Sequence, residues 1–435
     1  MTSGKVAASV AAGAALRVGL FVTGLDAFTQ DRLEYVTPLN SYQRLQEGHF
    51  LYKACNAPYA GDSFHQPPLV LALYNLLESF TAFNTSLRVC WIGCTIAVDV
   101  LIALGFASLC RAFLSSQQEQ QCERSKIWLN HPPVSPLLTP ENLPATTAAM
   151  FLFNPYSVIG SLALSTTLFT SASIVWSLSF AMQGFLVPAI LLLSIATYLS
   201  VYPVVLSVPV LLLVHHARSS MSRPSISTSM YLPLPRVAFS LVLFASCLGG
   251  LTGLSYVFMG RSWSFVESTY VWLHRYPDLT PNIGIFWYFF MELFDRFQPY
   301  FLFLLHVHPY VYIAPLYIRL RSRPLVYATI LLALVSLFQP YPAMGDIGFV
   351  MTFFIIHPSS IIGMNNKFVL ATGLVVASVL MPVMGFLWLY PGSGNANFFY
   401  NQTIVFQFFY LRVVGQFLAA TMRRDKQLDE YVKLH

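Results

Sequence analysis

Five carboxylates, Asp26, Asp31, Glu34, Glu47 and Asp62, fall in one polar stretch, 26–67. A carboxylate placed there could act as general base or metal ligand in moving a sugar from a polyprenyl phosphate. None of them forms a DxD pair, and a solvated acidic face is the competing reading. Farther on, Glu292, Asp295 and Arg296 fall at helical spacing within an aromatic stretch, where an ion pair of either acid with Arg296 competes with ligand contact. Asp346 sits at the turn that follows Gln339-Pro340-Tyr341-Pro342, where it reads as a helix cap or a ligand group. The chain has no HExxH, no GxSxG and no Walker loop. Its six cysteines, Cys55, Cys90, Cys94, Cys110, Cys122 and Cys247, show no repeated CxxC and suit packing better than metal or redox work. No catalytic residue, metal site or cofactor is expected.

Two other segments are built for binding. In Tyr276-Pro277-Asp278-Leu279-Thr280-Pro281-Asn282, Thr280 would cap a helix and Pro281 would open it, ahead of Gly284 and the cluster Phe286-Trp287-Tyr288-Phe289-Phe290. That segment is either an interfacial anchor or a lipid-facing wall whose free N–H groups meet a phosphate, with Asp278, Asn282, Trp287 and Asp346 lining a lipid cavity. In Gly392-Ser393-Gly394-Asn395-Ala396-Asn397-Phe398-Phe399-Tyr400, two glycines permit close backbone approach, and two amides can donate and accept hydrogen bonds ahead of an aromatic helix start. A headgroup site and a plain hairpin between two spans both fit this composition.

The elements that must hold these residues are membrane spans. Of 435 residues 56% are hydrophobic and 10% charged, with a mean hydropathy of +0.61, against about a quarter charged in a soluble domain. A water-soluble fold is excluded. Backbone groups in lipid must be satisfied internally, and the apolar runs lack period-two alternation, so an all-α polytopic bundle is expected rather than a barrel. Apolar runs fall at 6–25, 88–110, four times between 143 and 214, then at 237–259, 298–318, 324–341, 345–357, 367–390 and 398–420, about twelve spans. The first, behind Lys5, is expected to be an uncleaved span rather than a signal sequence. The short run 68–83 carries Glu78 and reads as a re-entrant or surface-lying helix.

Fifteen of the 24 basic residues lie in alternate loops and at the two ends: Lys5, the 111–142 and 215–236 loops, Arg319, Arg321, Arg323, Lys367 and the 421–435 tail. Five (Arg32, Arg44, Lys53, Arg261, Arg275) lie in the opposite loops. The positive-inside rule then puts both termini in the cytosol. It leaves the first loop 26–67, the segment 260–297 and the loop 391–397 on the other face. The net charge of +6 is scattered among spans rather than gathered into a patch, so nucleic acid is not an expected partner. The sequons at Asn84 and Asn401 lie too close to spans for efficient glycosylation.

PDLTPNIGIFWYFFMELF from Pro277, QPYPAMGDIGF from Gln339 and GSGNANFFY from Gly392 resemble the signatures of PIG-U, the U subunit of GPI transamidase. The similarity extends to span layout, to Ala57-Pro58-Tyr59 with Phe64-His65-Gln66-Pro67-Pro68-Leu69, and to Asn154-Pro155-Tyr156. It implies an endoplasmic-reticulum complex that attaches GPI anchors, in which PIG-K supplies the cysteine nucleophile beside PIG-S, PIG-T and the GPAA subunit. That family is itself similar to GPI mannosyltransferases, which implies a GT-C-like glycosyltransferase scaffold. Here the paired acid of the first loop is lacking. The resemblance implies a non-catalytic subunit that binds and presents the GPI lipid, with GPI recognition carried onto Asn395, Asn397 and Phe398. Contacts with membrane phospholipids at Arg218 and Arg223 are a further expectation. The alternative is a GT-C glycosyltransferase that uses a dolichol-phosphate sugar.

Overall fold

The structure, a computed structural model, describes residues 2–81, 86–124, 135–222 and 232–434, and these are helical with no strand among them. Six helices are long and apolar enough to cross a membrane: Gly4–Val22, Leu87–Gln117, Leu234–Phe258, Asp295–Leu320, Lys367–Leu389 and Ala396–Gln427. The protein is a multi-pass, all-helical membrane protein. Six more apolar helices, Leu143–Phe153, Thr167–Met182, Leu186–Leu199, Tyr202–Arg218, Pro324–Phe338 and Met344–Ile355, have 10–17 residues. At about 1.5 Å per residue these fall short of the roughly 30 Å hydrocarbon thickness. Their brevity has local causes. Asn154 is extended and accepts from the Tyr156 amide at 3.1 Å, and Pro155 then opens a separate helix, Pro155–Leu162.

The short helices make the centre. Pro324–Phe338 is buried along nearly its whole length and packs against Met344–Ile355. The long helices Leu234–Phe258 and Asp295–Leu320 lie outside and expose large apolar side chains such as Leu241, Val257, Phe303 and Ile318. A lipid-facing helix has this distribution, because exposure of apolar groups to hydrocarbon carries no penalty.

One ionic link crosses the bundle interior. Arg17 on the first span pairs with Asp99 on Leu87–Arg124 at 2.6 Å, and both side chains are fully buried. Arg17 also donates to the Leu152 carbonyl at 2.8 Å, and the Ser161 hydroxyl donates to Asp99. The arginine that interrupts the first apolar run is therefore neutralised inside the protein, as charge at membrane depth requires.

Polar side chains also link the ends of several helices. Lys5 donates to Asn142 at 2.7 Å and Arg323 pairs with Asp425 at 2.6 Å. Arg44 pairs with Asp278 at 2.9 Å.

The structure corrects three expectations. No helix begins at Thr280 and Pro281; it begins at Phe286, because Asp278 takes the Thr280 amide at 2.8 Å and Asn282 takes the Gly284 amide at 2.7 Å, folding 278–285 into consecutive turns. Glu292, Asp295 and Arg296 do not share a helix face, since the helix stops at Glu292 and Leu293 is extended. All three are exposed and form no ion pair among the described residues. Parts of the expected loops are helical: Leu87–Arg124 continues past Arg111, and Ala396–Leu434 runs through the tail. The 68–83 run forms the helix Pro68–Ser79, whose Glu78 pairs with Lys53 of the first loop at 2.7 Å.

Candidate functional site

The hairpin between Lys367–Leu389 and Ala396–Leu434 is set by its small residues. Gly392 has φ of 65°, a conformation that suits glycine. A Cβ on Gly394 would stand 3.3 Å from the backbone of Leu387, whose carbonyl accepts from the Gly394 amide at 3.0 Å. Asn395 then opens the next helix: its side-chain oxygen accepts from the Phe398 amide at 3.2 Å, as an N-cap residue does.

The aromatic segment 283–290 packs against this hairpin. Gln407 donates to the Ile283 carbonyl at 2.6 Å and Tyr400 to the Ile285 carbonyl at 3.3 Å. The Tyr288 and Tyr400 rings stack with centroids 4.5 Å apart, and the Tyr288 hydroxyl donates to the Asn397 side-chain oxygen. Trp287 stacks on Trp388 and touches Phe399. Two motifs more than a hundred positions apart, |i−j| of 109 for Tyr288 and Asn397, thus form one surface. Its floor is Trp287 and Phe399, both buried; its rim is Asn395, Asn397 and Phe398, all exposed. Among the described residues neither asparagine NH₂ group has a partner, so both are available to a polar ligand, with apolar Phe398, Leu389 and Tyr390 exposed beside them. Amide donors above an apolar rim suit an amphiphile with a polar headgroup.

The other expected cavity residues do not gather here. Trp287 is 1% exposed and packs the core, and Asn282 is fully buried in its own turn, donating to the Thr280 carbonyl at 3.1 Å. Asp278 ties the segment to the first loop through Arg44, while Tyr341 donates to its carbonyl at 2.8 Å. Burial alone would push the Asp278 carboxyl up, but the Thr280 hydroxyl and amide, with Arg44, outweigh it and hold it below the usual carboxylate range. Asp346 accepts from Gln339 at 2.9 Å and from the Ala343 amide at 3.2 Å, and lines a separate cavity of about 130 Å³ with Gln66, Thr167 and Tyr341. Arg218 donates to the Gly184 carbonyl at 2.9 Å. Arg223 lies outside the described residues.

Three of the first-loop carboxylates have separate partners. Asp26 pairs with Arg88, Asp31 accepts from Gln43 at 3.0 Å, and Asp62 is 3.8 Å from His65. No group of three metal-ligating side chains occurs among the described residues. Sequence reasoning missed Tyr288, Trp388 and Tyr400 as members of one site, although aromatic residues at span ends were the available signal.

Comparison with known proteins gives the family. The profile described as GPI transamidase subunit PIG-U matches residues 11–406. The chain is 30% identical over 425 residues to the Homo sapiens protein named GPI-anchor transamidase component PIGU, covering 95% of this chain and 92% of that one. It is 28% identical over 393 residues to GPI transamidase component GAB1 of Saccharomyces cerevisiae, covering 90% and 87%. A GAB1 homolog of Schizosaccharomyces pombe is 26% identical over 404 residues, covering 93% and 90%. Matched along nearly its whole length, the chain belongs to the PIG-U family.

Proposed function

We propose that this chain is a non-catalytic subunit of a GPI transamidase, and that it binds the GPI lipid and presents it for attachment to precursor proteins. The observation that carries the reading is the hairpin at 392–400, where two exposed asparagines with free NH₂ groups stand over an aromatic floor in a chain of the PIG-U family. The polar glycan and phosphates of the lipid would meet Asn395 and Asn397, and its tails would run along Phe398 and the exposed apolar band. Catalysis would belong to PIG-K, with PIG-S, PIG-T and the GPAA subunit as further partners. The setting is the endoplasmic-reticulum membrane, with about twelve crossings on a GT-C-like scaffold and both termini in the cytosol. The charge bias of the loops and the pairing of Lys5 with Asn142 and of Arg323 with Asp425 support that orientation.

The test is Asn397→Ala in cells that lack the native chain, scored by surface GPI-anchored protein and by recovery of partner subunits. Losing one hydrogen bond to a charged group costs about 1.5–3 kcal/mol, roughly ten- to a hundred-fold in affinity. Surface display should fall while assembly is kept. Wild-type display with normal assembly reduces the loop to a hairpin, and loss of assembly makes its role structural.

A further inference from the structure

Glu34 is 3% exposed, yet apart from its own backbone N–H nothing among the described residues hydrogen-bonds or pairs with its carboxylate. Its position is imposed by the fold, since its carbonyl accepts from the Met344 amide at 2.9 Å. Burial pushes its carboxyl above the usual range. The side chain lines a cavity of about 250 Å³ together with Asp31, Arg32, Phe28, Gly385 and Leu389. Arg32, two positions away, lies 3.8 Å over the Phe28 ring and has no carboxylate partner among the described residues. One cation and two carboxylates therefore line the cavity: Asp31 is held by Gln43, while Arg32 acts on Glu34 through space and makes no contact ion pair with it among the described residues.

The wall at Gly385 is open for a reason. A Cβ there would stand 3.4 Å from Phe399 and 3.8 Å from the Glu34 carboxylate, so any larger side chain would project into the space. The rim is apolar: Phe28 on the short helix Leu25–Thr29 is exposed, as are Phe386, Leu389 and Tyr390 at the end of the span Lys367–Leu389. An isolated buried carboxylate is unfavourable unless a donor or a cation completes it.

We propose that this cavity binds a phosphoethanolamine group, its primary ammonium donating to Glu34 and its phosphate meeting Arg32. A primary ammonium supplies both the charge and the N–H donors that Glu34 lacks, whereas a quaternary ammonium supplies no donor. Lipid tails leave past Phe386 and Leu389. The same headgroup chemistry occurs on phosphatidylethanolamine and on a glycan decorated with ethanolamine phosphate. The inference is independent of the Asn397 reading, because its test measures lipid retention and not anchor attachment.

The experiment uses the purified full chain with its partner subunits in nanodiscs of equal phosphatidylethanolamine and phosphatidylcholine, with retained lipid counted by mass spectrometry after detergent extraction. Wild type should retain phosphatidylethanolamine in preference. Glu34→Gln, which keeps shape and removes charge, should lower that preference about tenfold or more. Gly385→Leu fills the cavity with both charges intact and should do the same, so the proposal stays testable if Glu34→Gln fails to assemble. A tail-free arm adds glycerophosphoethanolamine: displacement of the lipid assigns recognition to the headgroup wherever it is carried, and retention of the lipid alone assigns it to the bulk phospholipid. Equal retention of the two lipids by wild type, or an unchanged preference in both variants, overturns the proposal and leaves a cavity filled only by water.

Discussion

The Arg17 guanidinium lies 2.6 Å from the Asp99 carboxylate, with both side chains wholly shielded from solvent, and this pair ties the first span to Leu87–Arg124. Removing one member leaves the other as an uncompensated buried charge, which is strongly destabilising, by about 3–5 kcal/mol. Asp99→Leu and Arg17→Met should each sharply reduce folded protein recovered in detergent. The double variant should regain most of it. Fluorescence-detected size-exclusion of the three variants checks the order, and a double variant no better than the singles would contradict it.

Asn395 and Asn397 should separate by their partners. Asn395 caps a helix, so Asn395→Asp should keep the start of Ala396–Leu434 while Asn395→Ala loses about 1 kcal/mol. Tyr288→Phe removes the hydroxyl that Asn397 accepts but leaves the Asn397 NH₂ group in place. If Asn397 serves the lipid, Tyr288→Phe should lower surface GPI-anchored protein far less than Asn397→Ala does. Equal losses would make the contact between them structural.

Gly284 should not accept a side chain. A Cβ there would come within 2.7 Å of the Asn282 oxygen and 2.8 Å of Pro342. Gly284→Ala therefore displaces the turn that seats Phe286–Glu292 and should cost about 1–3 kcal/mol. Thermal melting of the purified complex reads this directly, and an unchanged midpoint would show that Pro342 yields.

Asp278 carries a pH signature. Its folded carboxyl is held below the ordinary value of 3.8, so its contribution is fully present above that value and is lost as pH falls through the lower folded value. Asp278→Asn should lower stability at neutral pH by about 1 kcal/mol, the pair with Arg44 being partly exposed. The gap between wild type and variant should stay constant down to about pH 5 and close only in stronger acid. Melting curves across that range check the sign.

The Asn401-Gln402-Thr403 sequon should carry no glycan. It lies inside the helix Ala396–Leu434, and the Thr403 hydroxyl is committed to the Tyr400 carbonyl at 2.7 Å. A glycosidase-sensitive mass shift that Asn401→Gln abolishes would refute this. Asn84 lies outside the described residues.

Much of the architecture was legible without coordinates because lipid leaves a chain few options. Hydropathy alone marks the apolar runs, and backbone groups in hydrocarbon must pair locally, so the composition determined an all-helical membrane protein. The signature segments from Pro277, Gln339 and Gly392 carried the family. Local rules failed where side chains compete with them. Thr280 and Pro281 look like a helix start, but Asp278 and Asn282 take the amides at Thr280 and Gly284 and delay the helix to Phe286.

Which distant residues share a site was decided only by packing. Sequence placed Asp278, Asn282, Trp287 and Asp346 in one cavity; the fold buries Trp287 and Asn282, pairs Asp278 with Arg44 and sends Asp346 to another cavity. It sets Tyr288 against Asn397 instead, through stacking of Tyr288 on Tyr400. Among the acids of the first loop, nothing in their spacing distinguishes Glu34 from Asp26 or Asp31. Asp26 meets Arg88 and Asp31 meets Gln43, while Glu34 is carried under the end of another span where, among the described residues, only its own backbone N–H bonds its carboxylate. Hydropathy and spacing report what a residue does to its neighbours in the chain, whereas burial and pairing depend on which helices close over it.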